Sequence, residues 1–240
     1  MPLDEYRKKR DFSKTPEPDG ADVTRPRRAK KAKKQTGSYF CVQKHLASHL
    51  HYDLRLEHNG VLLSWAVPKG PSLEPADKRM AMRTEDHPYN YGSFEGVIPE
   101  GYGAGIVMLW DHGTWTPEVD DIDAALEKGD LKFSLDGFKL KGSWVLVRTR
   151  DREKTPASQR GRSWLLIKHR DFWSGPVDIT EFAPLSVKSE GNFDDILAAD
   201  MPRVWITGRP ATAKAGSAKQ LMMETIESAA KKILARQKRG

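Results

Sequence analysis

The chain is short of cysteine: Cys41 is its single thiol. That excludes an internal disulfide and any cysteine-rich zinc site, and leaves histidine and carboxylates as the side chains available to hold a metal. A long apolar run is also missing. No stretch approaches the length of a membrane span, and Met1 to Lys14 is charged, so neither a span nor a secretory signal is legible and the expected location is cytoplasmic. Catalytic signatures are absent in turn. The glycine-rich stretch Pro99-Glu100-Gly101-Tyr102-Gly103-Ala104-Gly105 lacks the Gly-Lys-Ser/Thr ending of a phosphate loop and reads as a tight turn before a strand. Position 134, two residues before Asp136, is serine where a nucleotidyl transferase would place its lysine. There is no Gly-x-Ser-x-Gly elbow, and Cys41 lies in a β-like run where an ordinary half-buried residue is expected, so covalent ester hydrolysis has no strong candidate.

What is present is charge, unevenly placed. The 240 residues carry a formal net charge of +7, which favours a polyanionic partner. From Arg25 to Lys34 there is no acid and no large apolar residue. Residues 1–37 have little to bury and read as an extended basic arm giving electrostatic attachment; within it, Thr15-Pro16-Glu17-Pro18 is stiff enough to lie extended across a surface.

From Ser38 the texture becomes short strands between turn residues, which predicts a mainly β fold: a closed or nearly closed antiparallel β-barrel with short flanking helices. Strands are expected near 39–44, 50–58, 61–67, 80–85, 105–111, 131–135, 144–150 and 163–169. Asn59-Gly60 marks a two-residue hairpin turn, Asp136-Gly137 and Lys141-Gly142 mark later turns, and 121–128 fits a short helix closed by Gly129. The barrel domain is expected over 38–185. A C-terminal extension follows over 186–240, with a short helix near 193–199, a small-residue linker at 210–217 and a basic helix over 218–237. In that last helix Met222, Ile226, Ala229 and Ile233 recur at the spacing of a docking face.

The most informative stretch runs from His45 to Glu57. As a strand it places His49, His51, Asp53, Arg55 and Glu57 on one face and Leu50, Tyr52, Leu54 and Leu56 on the other. His45, His51 and Asp53 can supply three ligands to one divalent metal if the chain folds back before the strand, with Arg55 next to hold an anion. On alternation alone, a solvated strand laced with cross-strand ion pairs fits equally well. His87 and Tyr91, four residues apart, could meet on one helical turn and serve a phosphate as acid or hydrogen-bond donors.

Several separated stretches share one resemblance. Phe40-Cys41-Val42-Gln43-Lys44-His45 through Leu50–Glu57, Arg10-Asp11-Phe12 with Thr15–Pro18, Trp65–Gly70, Glu85-Asp86-His87-Pro88 with Tyr91, and Phe94–Pro99 resemble, in order, the phosphoesterase module of bacterial DNA ligase D. The resemblance spans about Arg10 to Arg170. It implies a metal-dependent 3′-end-healing hydrolase of DNA repair by non-homologous end joining, preferring manganese, with zinc or another transition metal as substitutes. Such an enzyme trims a terminal ribonucleoside from a primer strand and then removes the 3′-phosphate. By position, His45, His51 and Asp53 would bind the metal, and Arg55, His87 and Tyr91 would contact the scissile phosphate. Arg10, Asp11, Glu17, Gln43 and Arg79 match further positions on which the family's activity depends. His49 lies outside the motif and is read as a bystander. Partners implied are DNA or RNA-tipped primer-template 3′ ends, with a separate ligase or polymerase and bacterial Ku, on the nucleoid and away from membranes. The Glu100-Gly101-Tyr102-Gly103 turn is one residue shorter than the family form, and a module of this length would act free-standing. Two other classes compete: a catalytically silent barrel that holds DNA ends and recruits partners, and a small-molecule phosphatase, whose substrate affinity would respond little to salt.

Overall fold

The computed structural model describes residues 3–9, 37–98, 103–151, 153–199 and 217–238. Its centre is a closed eight-stranded antiparallel barrel. Strands β1 (Ser38–Leu46), β2 (Leu50–His58), β3 (Val61–Val67), β4 (Arg79–Arg83), β7 (Gly105–Pro117), β8 (Asp130–Gly137), β9 (Lys141–Arg148) and β10 (Ser163–Lys168) run in the order β1-β2-β3-β4-β10-β9-β8-β7, and β7 returns to pair with β1. Closure removes the sheet edges that an open barrel of this size would expose. Two short strands lie off the ring: β5 (His87–Pro88) pairs with β3, and β6 (Gly96–Ile98) pairs with β7, joined by a 3₁₀ turn over Tyr89–Ser93. All eight long strands fall where the sequence places them; β5 and β6 are too short to leave a periodic signal.

Alternation decides what each strand buries. Phe40, Val42 and Leu46 of β1, Tyr52, Leu54 and Leu56 of β2, and Leu63, Trp65 and Val67 of β3 enter one apolar core with Met108, Trp110, Trp115, Phe133 and Trp144. The indoles are satisfied as well as buried: Trp115 Nε1 donates to the Glu57 carbonyl at 3.0 Å and Trp110 Nε1 to that of Ala183 at 2.8 Å. The opposite face of β1, β2 and β7 carries a smaller apolar cluster, Tyr91, Phe94, Ile98 and Val107, which roofs part of the polar residues there. Cys41 belongs to that covered face and is fully buried, where a half-buried residue was expected; burial pushes its thiol up to about 12.

Turn chemistry matches the sequence at Asn59-Gly60, whose φ values of 51° and 83° suit a two-residue hairpin. Helix α2 (Ile122–Lys128) is capped at its start by Asp121 and closed by Gly129 in the left-handed region. The β8–β9 turn works differently. The Asp111 carboxylate, reaching over from β7, accepts from the backbone N–H groups of His112, Phe138, Lys139 and Leu140 at 2.8 to 3.1 Å, so that turn is organised from the strand paired with β8.

Helix α1 (Asp4–Lys8) inserts the fully buried Tyr6 into the barrel's flank. Short helices α3 (Ile179–Phe182) and α4 (Phe193–Leu197) follow the barrel, and α5 (Ser217–Gln237) lies on α4, with Lys232 Nζ 2.9 Å from Asp194 and 2.5 Å from Asp195. The docking face of α5 is Ala218, Leu221, Met222, Thr225 and Ala229; Ile226 and Ile233, expected on it, are exposed beside Met223 and Leu234. The linker at 210–217 and the basic arm from Arg25 to Lys34 lie outside the described residues, apart from the backbone of Ser217.

Candidate metal centre

The β1–β2 hairpin builds the centre by register. His45 faces His51 across the ladder and Gln43 faces Asp53, so a ligand at the end of one strand meets two at the start of the next. Ligating atoms of His45, His51 and Asp53 all lie within 4.8 Å of one another. Asp53 bridges the imidazoles, with Oδ2 3.7 Å from His45 Nδ1 and Oδ1 3.7 Å from His51 Nε2. The group sits on the face opposite the apolar core. The barrel interior is filled by Phe40, Val42 and Leu46 of β1 and Tyr52, Leu54 and Leu56 of β2, and the metal-facing residues look outward under the 89–98 segment.

The donor set fits a divalent transition metal. His45 Nε2 is buried and has no partner among the described residues, a costly state for a ring nitrogen that ligation would relieve. His51 Nδ1 lies 2.9 Å from the His49 carbonyl, which fixes the proton there and leaves Nε2 as a ligand. His49 thus takes part through its backbone while its ring is exposed. Burial pushes the His45 imidazole below its usual pKa, favouring the neutral form that ligates. For Asp53, burial alone would raise the carboxyl; the Arg55 guanidinium and both imidazoles outweigh it and hold the group well below the usual carboxylate range. Two imidazoles and one carboxylate suit manganese or zinc better than magnesium.

Arg55, 3 % exposed, is gripped on three sides. Nε donates to Gln43 Oε1 at 2.8 Å, Nη1 to Ser64 Oγ at 2.8 Å and Nη2 to Asp53 Oδ2 at 3.1 Å, while the Tyr91 ring lies 5.0 Å from the guanidinium carbon. Gln43 uses its other end as a brace, donating to the carbonyls of Tyr91 and Phe94 at 3.1 and 2.9 Å. It therefore ties the 3₁₀ turn to the arginine. His87 and Tyr91 do meet, with ring centroids 5.0 Å apart, by way of a two-residue strand running into the 3₁₀ turn and not on one α-helical turn. His87 Nδ1 is 2.8 Å from the Glu85 carbonyl, which directs Nε2 away from the backbone.

Arg79 opens β4, the strand next to β3 in the barrel order, and its Nη2 donates to Asp77 at 2.8 Å. Arg10, Asp11 and Glu17 lie outside the described residues, as does most of the Glu100–Gly103 turn. Sequence reasoning missed Ser64, Tyr6 and Lys9. Tyr6 packs edge-on to His87 at 5.7 Å, and Lys9 Nζ pairs with Glu85 at 2.7 Å. Ser64 had a signal, being the lone hydroxyl in the apolar strand Val61-Leu62-Leu63-Ser64-Trp65-Ala66-Val67; Tyr6 and Lys9 had none.

An outward-facing His-His-Asp cluster that could hold a metal, beside a restrained arginine on a closed antiparallel barrel, defines a barrel protein with a candidate metal centre. Residues 43–148 match the model of the DNA ligase D 3′-phosphoesterase domain family. The chain is 52% identical over 194 residues to the multifunctional non-homologous end joining protein LigD of Pseudomonas aeruginosa, an alignment covering 79% of this chain and 21% of that protein. The corresponding protein of Mycolicibacterium smegmatis is 36% identical over 196 residues, covering 79% of this chain and 23% of the relative. That of Mycobacterium tuberculosis is 43% identical over 150 residues, or 61% and 18%. The chain thus spans about a fifth of the length of these curated relatives. No helix among the described residues is long and apolar enough to cross a membrane.

Proposed function

We propose that this chain is a metal-dependent 3′-phosphoesterase acting on nucleic-acid 3′ ends, removing a terminal ribonucleoside as a phosphodiesterase and the remaining 3′-phosphate as a monoesterase, in end-joining repair. The observation that carries the reading is the convergence of His45, His51 and Asp53 on one point, with Asp53 also bonded to the restrained Arg55. The match of residues 43–148 to the 3′-phosphoesterase domain family and relatives named for non-homologous end joining support the substrate class.

His45, His51 and Asp53 would hold a divalent cation, manganese first among those the donors suit, which would supply charge neutralisation for a phosphoryl group and a nucleophile at neutral pH. The protein's own groups supply orientation. A guanidinium has five N–H donors, of which three are spent on Gln43, Ser64 and Asp53, so one N–H on each Nη remains for a phosphate oxygen. His87 has Nδ1 tied to the Glu85 carbonyl, and in its imidazolium form Nε2 would donate to phosphate or protonate the departing oxygen. Tyr91 covers one face of the guanidinium and limits its motion. The residues present require no covalent intermediate, and the route they serve is direct attack of water on phosphorus.

The test is a 5′-labelled primer-template ending in one ribonucleotide, incubated with manganese, magnesium, zinc or chelator, using wild type and His51→Ala in parallel. Metal-dependent shortening to a 3′-phosphate and then a 3′-hydroxyl, lost in the variant, is the expected result. A primer that is bound under every metal yet never cut would establish the end-binding module instead.

A further inference from the structure

We infer that Ser64 is a positioning residue for the phosphate-binding arginine: its hydroxyl fixes the rotation of the Arg55 guanidinium and so sets which N–H bonds face the substrate. The inference rests on the proposed role of Arg55 toward phosphate. Ser64 is fully buried in the middle of β3, directly across the ladder from Arg55. The outward face of β3 at this level carries Leu62, Ser64 and Ala66. A hydroxyl buried there costs free energy unless it is bonded, and alanine would fill a strand of this kind without that cost. The hydroxyl is bonded at both ends. Oγ accepts from Arg55 Nη1 at 2.8 Å and donates to the Leu62 carbonyl at 2.9 Å, so its proton is committed and its lone pair is aimed at the guanidinium. The Ser64 carbonyl is itself held by Thr84, through N at 3.0 Å and Oγ1 at 3.3 Å, which leaves the serine little freedom to follow a moving partner.

The three anchors are not equivalent. Asp53 is also the bridge between the two imidazoles, and Gln43 also braces the 3₁₀ turn, so both have other duties. Ser64 is the anchor whose other hydrogen bond stays within its own strand, at the Leu62 carbonyl. It holds Nη1, one of the two nitrogens that still have a hydrogen to offer. Without it the planar guanidinium is held only along its Nε–Nη2 edge, by Gln43 and Asp53, and can rock about that edge, which swings Nη1 off its alignment toward a phosphoryl oxygen. A change of that kind acts after binding: primer affinity is left to other contacts, and the oriented charge that matters in the transition state is weakened.

Wild type, Ser64→Ala and Ser64→Thr are compared in two measurements. With isotope-labelled arginine, the Nη protons of Arg55, assigned by their absence in Arg55→Lys, are expected to give separate resonances in wild type and Ser64→Thr and to collapse by rotational exchange in Ser64→Ala. In turnover on the ribonucleotide-ended primer, Ser64→Ala is expected to lower kcat by about ten-fold with KM within about two-fold, and Ser64→Thr to recover most of the loss. Persistence of separate Nη resonances in Ser64→Ala, or an unaltered kcat, overturns the inference. Equal losses in Ser64→Ala and Ser64→Thr overturn it too, because they point to packing. A wild type without turnover defeats the functional reading and leaves the resonance comparison to decide the serine's role. If Ser64→Ala does not fold, Ser64→Cys, with similar volume and a weaker acceptor, enters the same comparison.

Discussion

Lys9 Nζ lies 2.7 Å from Glu85 Oε2, joining residues 76 apart in sequence, and the carboxylate end of this pair sits two residues before His87. The pair, with Tyr6 edge-on to the His87 ring, makes the five-residue helix α1 part of the wall of the candidate site. Glu85 is 1% exposed at its side chain and its Oε1 has no partner among the described residues. Breaking a buried pair strands a charge, whereas removing both charges does not. Lys9→Ala is therefore expected to cost about 3 kcal/mol in denaturant unfolding, and Lys9→Met combined with Glu85→Gln to recover most of that. A single-variant loss near zero would show that the pair carries no net energy.

The metal ligands make a sharper forecast. Removing an outer partner of a metal-bound histidine typically weakens affinity by about 10- to 100-fold, so removing a ligand should do at least as much. His45→Ala and Asp53→Asn are each expected to weaken manganese binding, read by calorimetric titration, by about 100-fold or more. Arg79→Ala, whose side chain pairs with Asp77 on β4, should leave it unchanged.

Period-two alternation in β2 is the reason so much of this centre was legible: it separates Asp53 and Arg55 from Tyr52 and Leu54, and the structure buries the two sets on opposite faces. What alternation does not say is which face is the barrel's inside. The polar face turned outward because its cover, Tyr91, Phe94 and Ile98, comes from a segment too short and irregular to announce itself. Gln43 shows the same limit. Its brace to the Tyr91 carbonyl spans 48 residues, and no local pattern encodes a partner at that distance. Helix α5 fails differently: residues 218, 221, 222, 225 and 229 and residues 223, 226, 233 and 234 form two stripes at helical spacing, and periodicity alone does not choose the one that docks.

Arg55 cannot be replaced by another cation. Lysine offers a point charge on a flexible stem and has no fork to meet Gln43, Ser64 and Asp53 together. Arg55→Lys is expected to lower kcat by about 100-fold, the range seen when one preorganised donor is removed from a transition-state site, with primer affinity changed by less than about three-fold. A comparable fall in affinity and kcat would mean that the arginine contributes uniform binding and not selective stabilisation.

Asp111 gives a pH dependence that is separate from the metal centre. Its carboxylate organises the β8–β9 turn through backbone N–H groups, yet burial outweighs them and raises its pKa to about 6. The unfolded chain titrates this group near its ordinary value of roughly 3.9. Between about 4 and 6 the folded protein holds the extra proton, so the Asp111 contribution to stability is greatest below pH 4 and is lost as pH rises through 6. A shift of about two units corresponds to about 3 kcal/mol. Asp111→Asn, which does not titrate, should be compared with wild type by urea unfolding at pH 4 and pH 7. The stability difference is expected to move toward the variant by about 2 kcal/mol between the two, since pH 4 already lies at the unfolded value. Parallel pH profiles would mean that the four N–H bonds hold the carboxylate ionised in spite of its burial. Gly137 sets the closeness of that contact, since a Cβ there would stand 2.6 Å from Asp111 Oδ2. Gly137→Ala should accordingly push the carboxylate off its donors and lower stability at pH 7 as well as at pH 4, by a route that does not depend on the proton.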